Sequence, residues 1–276
     1  MTVDLQRIDR RVIYLLLLFV VGVPLLVKIT LPISRFPDSA GIYDTIQTLP
    51  TNKPVIVLGN WGGSTMGENG PQSMAILYHL LKRGIPVMIT GVDQQGPGLV
   101  EAMARELAPK LGRVYGKDFV NFGYRPLSSV TLSSLIKNIP DYMKKDAHNT
   151  PVAKIPLLRN VKTLGDCSMV IDISGLQGTT EDWVGVGQSA YHMKMASCVT
   201  AVGAPQYYPL YDSGQLVGIL VGMRGAAEYE ALVGRPGQAT RLMPAQSGAH
   251  VLVVVLIVLC NLAYMQQRKT KGGATR

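Results

Sequence analysis

The chain has 276 residues, 47% apolar and 16% charged, which excludes a disordered protein and allows one large core. The formal net charge is +9, but residues 1–28 and 266–276 supply +6 of it. The nearly balanced middle has no basic segment with interleaved aromatic residues, so nucleic acid is excluded as an expected partner.

The first predicted element is a membrane-spanning helix over residues 12–33, which follows a short tail at residues 1–11. Residues 12–27 carry no charge, and Lys28 with the apolar residues after it extends the run to the ~20 residues of a membrane span. A cleaved signal peptide is the alternative, because Arg10 and Arg11 precede the apolar run. No small-residue cleavage site follows promptly, which favours a permanent anchor.

The middle of the chain, residues 34–248, is predicted to be an α/β domain. Short apolar runs bounded by Gly or Pro predict strands at residues 55–59, 86–91, 118–123, 169–175 and 198–203. Segments with helical spacing lie between them at residues 72–84, 98–112, 127–145 and 181–195. This alternation predicts a Rossmann-like three-layer domain with a mostly parallel sheet. Residues 146–167 do not fit the alternation and are predicted to be irregular, with a short strand at residues 155–158.

The loops that follow the strands are the predicted ligand-binding positions, because open parallel sheets bind ligands at the carboxyl ends of their strands. The glycine-rich loop after the first strand matches neither the dinucleotide nor the P-loop fingerprint. An acid follows the second strand, 34 residues after Gly59 and farther than the usual ~20 of dinucleotide folds. The candidate ligand-binding residues are Asn60, Gly62, Gly63, Ser64, Thr65, Asp93, Asp172 and Ser174.

The loop after the fourth strand holds several acids and hydroxyl groups. Its carboxylates, Asp172, Glu181 and Asp182, could bind a metal or act as acid and base, but Thr179, Thr180 or Glu181 is favoured as a cap for the next helix. After the fifth strand, three tyrosines at residues 207, 208 and 211 could line a ligand pocket or lie at a membrane surface. The sequence leaves both interpretations of the tyrosines open.

Glycine recurs every fourth residue between residues 214 and 222. We predict a helix in which Gly214, Gly218 and Gly222 form a smooth face that permits close backbone approach. Since each interior glycine costs about 1 kcal/mol relative to alanine, such a helix needs a packing reason. The sequence therefore indicates a packing interface, within the subunit or between copies.

A second membrane span is predicted at residues 249–266, followed by a basic tail at residues 267–276. An apolar run that meets the basic segment QQRKTK is typical of a stop-transfer sequence. Seven Lys or Arg residues flank the outer ends of the two spans and four flank the inner ends. This bias predicts a two-span protein of the plasma or inner membrane, with both termini in the cytoplasm and the domain on the other side.

The sequence supports two functional hypotheses. The first is a binding or scaffold protein that is anchored in the lipid bilayer and associates with itself or with another membrane protein. The second is a membrane-tethered enzyme or small-ligand sensor that uses the loops at the strand ends. No metal site is expected, since no two of the four histidines share a ligand spacing, and the sequence identifies neither a cofactor nor a catalytic residue.

Overall fold

The computed structural model describes residues 9–27, 29, 35–126 and 129–273. The chain divides into two compact units, one formed by the two ends, residues 1–32 and 240–276, and the other by residues 33–239. The part of the predicted first span beyond Val27 lies outside the described residues, except for Ile29.

The central unit is an α/β domain built on one six-stranded parallel sheet, as the alternating sequence pattern predicts. The strand order is β3-β2-β1-β4-β5-β6, and every neighbouring pair is parallel. The strands are β1 (Val55–Asn60), β2 (Val87–Gly91), β3 (Phe119–Tyr124), β4 (Met169–Ser174), β5 (Met195–Val199) and β6 (Ile219–Val221).

Helices cover both faces of the sheet and complete three layers. The helices are α1 (Arg10–Val27), α2 (Pro37–Thr48), α3 (Met66–Arg83), α4 (Gly96–Leu107), α5 (Ser129–Lys137), α6 (Ile139–Met143), α7 (Thr179–Trp183), α8 (Ser189–Tyr191), α9 (Tyr208–Asp212), α10 (Gly222–Leu232) and α11 (Gln238–Gly273). One apolar core joins the sheet to α2, α3, α4 and α10. A second core joins its other face to α5, α6, α7 and the segment before β4.

Several predicted boundaries are wrong. The fifth strand lies at Met195–Val199 rather than at residues 198–203, because the helical segment before it already ends at His192, whose φ is 49°. The predicted helix at residues 72–84 begins six residues earlier, at Met66. The segment at residues 146–167 is irregular, as predicted, but residues 156–158 form a 3₁₀ turn instead of a strand.

The predicted glycine-faced helix does not exist, because a turn and strand β6 occupy its first half. Gly214 lies in a turn with a φ of 76°, and Gly222 begins α10 with a φ of 57°. Gly218 lies just before β6, where a Cβ atom would stand 2.4 Å from the carbonyl oxygen of Asp38 in α2. The three glycines therefore share no helix face, although Gly218 does permit close packing within the subunit.

The unit formed by the two ends contains two helices that are long and apolar enough to cross a membrane. These segments are Arg10–Val27 and Gln238–Met265, and almost none of either segment is buried. The second segment belongs to α11, which begins well before the predicted span. The two helices approach closely at Gly248, where a Cβ atom would lie 2.8 Å from Cγ1 of Val20.

Candidate functional site

A cleft of about 470 Å³ opens at the carboxyl edge of the sheet. Its lining residues lie at the end of β1 and after β2, β3 and β4. The strand order reverses at this edge between β1, which leads to α3 on one face, and β4, which leads to α7 on the other. Open α/β sheets bind their ligands in this crevice. The residues that line the cleft are Asn60, Val92, Pro126, Thr131, Leu132, Gln177, Gly178, Thr179, Asp182 and Trp183.

The base of this edge is held by a buried carboxylate. Asp172 has no exposed surface, and its Oδ1 accepts a hydrogen bond of 2.8 Å from Nδ2 of Asn60. Its Oδ2 accepts from the hydroxyl groups of Thr179 and Thr180, each at 2.7 Å. Burial raises the pKa of Asp172, since a charged group is costly away from water, while the three donors act in the opposite direction. Asp172 therefore fixes the positions of Asn60 and Thr179, two residues of the cleft wall.

The prediction that Thr179, Thr180 or Glu181 caps α7 is wrong. The N-cap residue is Gly178, with a φ of 86° and no capping side-chain bond. The two threonine hydroxyls bind Asp172 instead, because the buried carboxylate needs donors more than the helix end does. Ser174 joins the same network, since its hydroxyl lies 3.1 Å from that of Thr179.

The glycine-rich loop is shorter than the sequence suggests, since only residues 61–65 lie between β1 and α3. The amide of Gly63 donates to Oε1 of Gln95 at 3.2 Å, which links this loop to the loop after β2. Asp93 lies in that second loop, and its Oδ1 accepts from the amides of Gln95 and Gly96. Asp93 therefore caps the N-terminus of α4.

Both helix N-termini at this part of the edge already have an acidic side chain from the chain itself. Glu68 lies in the first turn of α3, and its Oε2 accepts from the amide of Ala201 at 2.8 Å. Asp93 occupies the corresponding end of α4. These acids reduce the attraction of the α3 and α4 N-termini for an anionic group such as a pyrophosphate.

The structure brings most of the predicted site residues to one edge. Asn60, Asp172 and Ser174 meet directly, and a Cβ atom on Gly62 would lie 3.6 Å from a carboxylate oxygen of Asp93. The remaining three of the eight, Gly63, Ser64 and Thr65, complete the short loop between β1 and α3, where Ser64 is exposed.

The far wall of the cleft consists of residues that the sequence does not predict as site residues. Thr131 and Leu132 of α5 and Trp183 of α7 line it, together with Gln177. The segment between β4 and α7 marks the edge in the sequence, but no sequence signal indicates that α5 turns Thr131 and Leu132 toward it.

Two histidines away from the cleft, His79 and His148, have structural partners. His79 is buried and bonds the hydroxyl of Tyr229 at 2.7 Å, and burial lowers its pKa to about 4. His148 lies 2.7 Å from Oε1 of Glu101 at the β3 edge of the sheet. Among the residues that the structure describes, no group of three His, Cys, Asp or Glu side chains could hold a metal ion.

Comparison with protein-family models gives no match, and comparison with curated proteins gives none either.

Proposed function

We propose that this chain is a membrane-anchored protein whose α/β unit binds a small polar ligand in the cleft between the carboxyl ends of β1 and β4. The observation that carries the proposal is the cleft itself, at the edge of the sheet where the strand order reverses. The buried Asp172 holds two of its lining residues, Asn60 and Thr179, by hydrogen bonds. Its volume of about 470 Å³ suits a ligand the size of a monosaccharide or a small amine.

Membrane anchoring at both ends is part of the proposal. It is supported by the two apolar helices, Arg10–Val27 and Gln238–Met265, and by the basic residues outside them. The bias of these basic residues favours cytoplasmic termini in a plasma or inner membrane and a ligand on the opposite side. In that arrangement, protease added to intact cells cuts the α/β unit and spares tags on both termini. Protection of the unit would reverse the orientation and make the ligand a cytoplasmic one.

The sequence argument for the scaffold hypothesis was the glycine-faced helix, which residues 214–222 do not form. Association through a glycine-faced helix required Gly214, Gly218 and Gly222 on one helix, and β6 interrupts that segment. Association of the chain with itself or with another membrane protein stays a prediction. Ligand binding is the stronger proposal, since it has a defined cleft.

The test uses the full chain in neutral detergent and measures the unfolding midpoint with a panel of small molecules. The panel contains glucosamine, glucose, putrescine, AMP and inorganic phosphate. Gln177→Phe places a ring in the cleft without touching the buried Asp172 network, because the side chain of Gln177 is exposed. Gln94→Phe is the matched control, an exposed glutamine of the loop after β2 that does not line the cleft.

We expect at least one member of the panel to raise the unfolding midpoint of the unchanged protein and of Gln94→Phe. The same compound should leave Gln177→Phe unshifted, since the new ring occupies its space. The proposal fails if no compound shifts the unchanged protein, or if Gln177→Phe responds as strongly as the control.

A further inference from the structure

The polar groups that line the cleft fall into two sets. Asn60, Thr131 and Thr179 already use their side chains within the protein, on Asp172, on the carbonyl oxygen of Pro126 and on neighbouring backbone. Gln177 and Asp182 are exposed, and neither side chain has a partner among the described residues. A ligand in the cleft therefore finds one free carboxamide and one free carboxylate.

The charge of the surrounding edge is negative. The loops after β1, β2, β4 and β5, with the first turns of α3 and α7, contain Glu68, Asp93, Glu181 and Asp182 and no Lys, Arg or His. The cation nearest in sequence, Arg125 after β3, donates instead to the carbonyl oxygens of Met143 and Lys145. Among the described residues that line the cleft, Asp182 is the one with a charged side chain.

Buried acceptors without a donor lie at the same strand ends. Asn69 is fully buried, and its Nδ2 donates to Oε1 of Gln72 at 2.9 Å and to the carbonyl oxygen of Ser174. Gln72 donates its own amide group to three carbonyl oxygens, so the orientation of both carboxamides is fixed. Oδ1 of Asn69 and Oε2 of Glu181 are thus acceptors with no partner among the described residues, and the hydroxyl of Thr65, which can donate or accept, has none either.

These atoms lie beside the cleft and do not belong to the residues that line it. Thr65 and Asn69 stand one helical turn apart and contact consecutive residues, Gly175 and Ser174, at the end of β4. A buried polar atom is stabilised by a hydrogen-bond partner, and these atoms have none among the described residues. One donor at this edge is also unpartnered, Nε1 of Trp61, but that ring packs in the core formed with α3 and α4.

We propose that the ligand of the cleft is a small organic molecule with a protonated amine. The proposal rests on the proposed function and names its substrate class. The ammonium group pairs with the carboxylate of Asp182, and the carboxamide of Gln177 accepts or donates a further hydrogen bond. Leu132 and Trp183 supply the apolar part of the wall, and an indole ring also attracts a cation.

The test compares two compounds of the same shape that differ by one ammonium group, glucosamine and glucose, with AMP as the anionic compound. Binding to the full chain in neutral detergent is measured by titration calorimetry. Asp182→Asn removes the negative charge from the cleft, while Asp212→Asn removes the same charge from an exposed position in α9. Both residues are exposed, so both variants are expected to fold.

We expect glucosamine to bind more tightly than glucose, and AMP not to bind. Asp182→Asn should weaken glucosamine binding about tenfold, the equivalent of about 1.4 kcal/mol, and Asp212→Asn should leave it unchanged. Equal binding of glucosamine and glucose, or binding of AMP, would overturn the amine proposal and leave the cleft as a ligand site. If the cleft-filling variant Gln177→Phe changes the binding of no compound, the proposed function fails as well.

Discussion

Replacing the buried acid Asp172 by asparagine is expected to stabilise the α/β unit at neutral pH. The amide oxygen can keep the bond from Asn60, while the new amino group faces the hydroxyls of Thr179 and Thr180. A hydroxyl accepts as well as donates, so both threonines keep a partner, and Thr180 can still donate to Ser197 at 2.9 Å. The exchange therefore removes a buried charge without leaving a polar atom unpaired.

The magnitude follows from the direction of the pKa shift. Burial raises the pKa of Asp172 in the folded state above its unfolded value of about 3.9. The folded state then binds its proton more tightly, so stability is lost as the pH rises from about 4 through the folded pKa. Each unit by which the pKa is raised costs about 1.4 kcal/mol above that range, a cost that Asp172→Asn does not have.

Urea unfolding followed by tryptophan fluorescence measures this difference. The only two tryptophans, Trp61 and Trp183, are both buried in the α/β unit, so their fluorescence reports that unit. Asp172→Asn should match the unchanged protein near pH 4 and exceed it at pH 7, where 1.4 kcal/mol moves the midpoint by about 0.5–1 M urea.

A control for the same prediction removes a donor from the acid. Thr180→Val should destabilise the unit by about 1–3 kcal/mol, and more at pH 7 than at pH 4. A difference between Asp172→Asn and the unchanged protein that does not change with pH, or that favours Asp172 at pH 7, would refute the reasoning.

Three further predictions concern the protonation of one buried histidine and the close packing of two glycines. Acidification from pH 6.5 to 4 should lower the free energy of unfolding by up to about 3 kcal/mol, because the pKa of the buried His79 is lowered to about 4. His79→Gln should lose less stability over the same pH range, and an equal loss in both proteins would contradict this. Gly218→Ala should destabilise the protein by about 1–3 kcal/mol or more in urea unfolding, because the new Cβ atom meets a backbone oxygen of α2. Gly67→Ala is the control: its Cβ atom has open space, so this variant should be neutral or slightly stabilising. Gly248→Leu should separate α1 from α11, because its side chain needs the space that Val20 occupies. The measurement is the yield of a crosslink between cysteines introduced on the two helices, which should be abolished; an unchanged yield would contradict that packing.

The sheet could be predicted because its strands are continuous apolar runs. Strands β1 to β4 are buried along most of their length, and Gly or Pro lies at or near their ends. The apolar runs and the Gly or Pro residues that bound them therefore predict the same segments. Strand β6 has only three residues, although Gly218 and Gly222 flank it. Its glycine spacing imitates a helix face, while the actual constraint at Gly218 comes from α2, a contact remote in sequence.

The candidate site was predictable in position and not in detail. The carboxyl-edge rule is sufficient to select Asn60, Asp172 and Ser174. Local sequence favours capping for Thr179 and Thr180, and only the burial of Asp172 shows why their hydroxyls turn inward. The contribution of Leu132 in α5 depends on how that helix packs over the sheet, which no pattern in the sequence specifies.

The most direct test of the ligand cleft is fluorine NMR of the full chain labelled with fluorotryptophan. Trp183 lines the cleft and Trp61 packs in the core beneath α3 and α4, so the two resonances give a signal and an internal reference. Glucosamine or another member of the panel should shift the Trp183 resonance in a saturable manner and leave that of Trp61 in place. If no member of the panel moves the Trp183 resonance, or if both resonances move together, the cleft is not the ligand site.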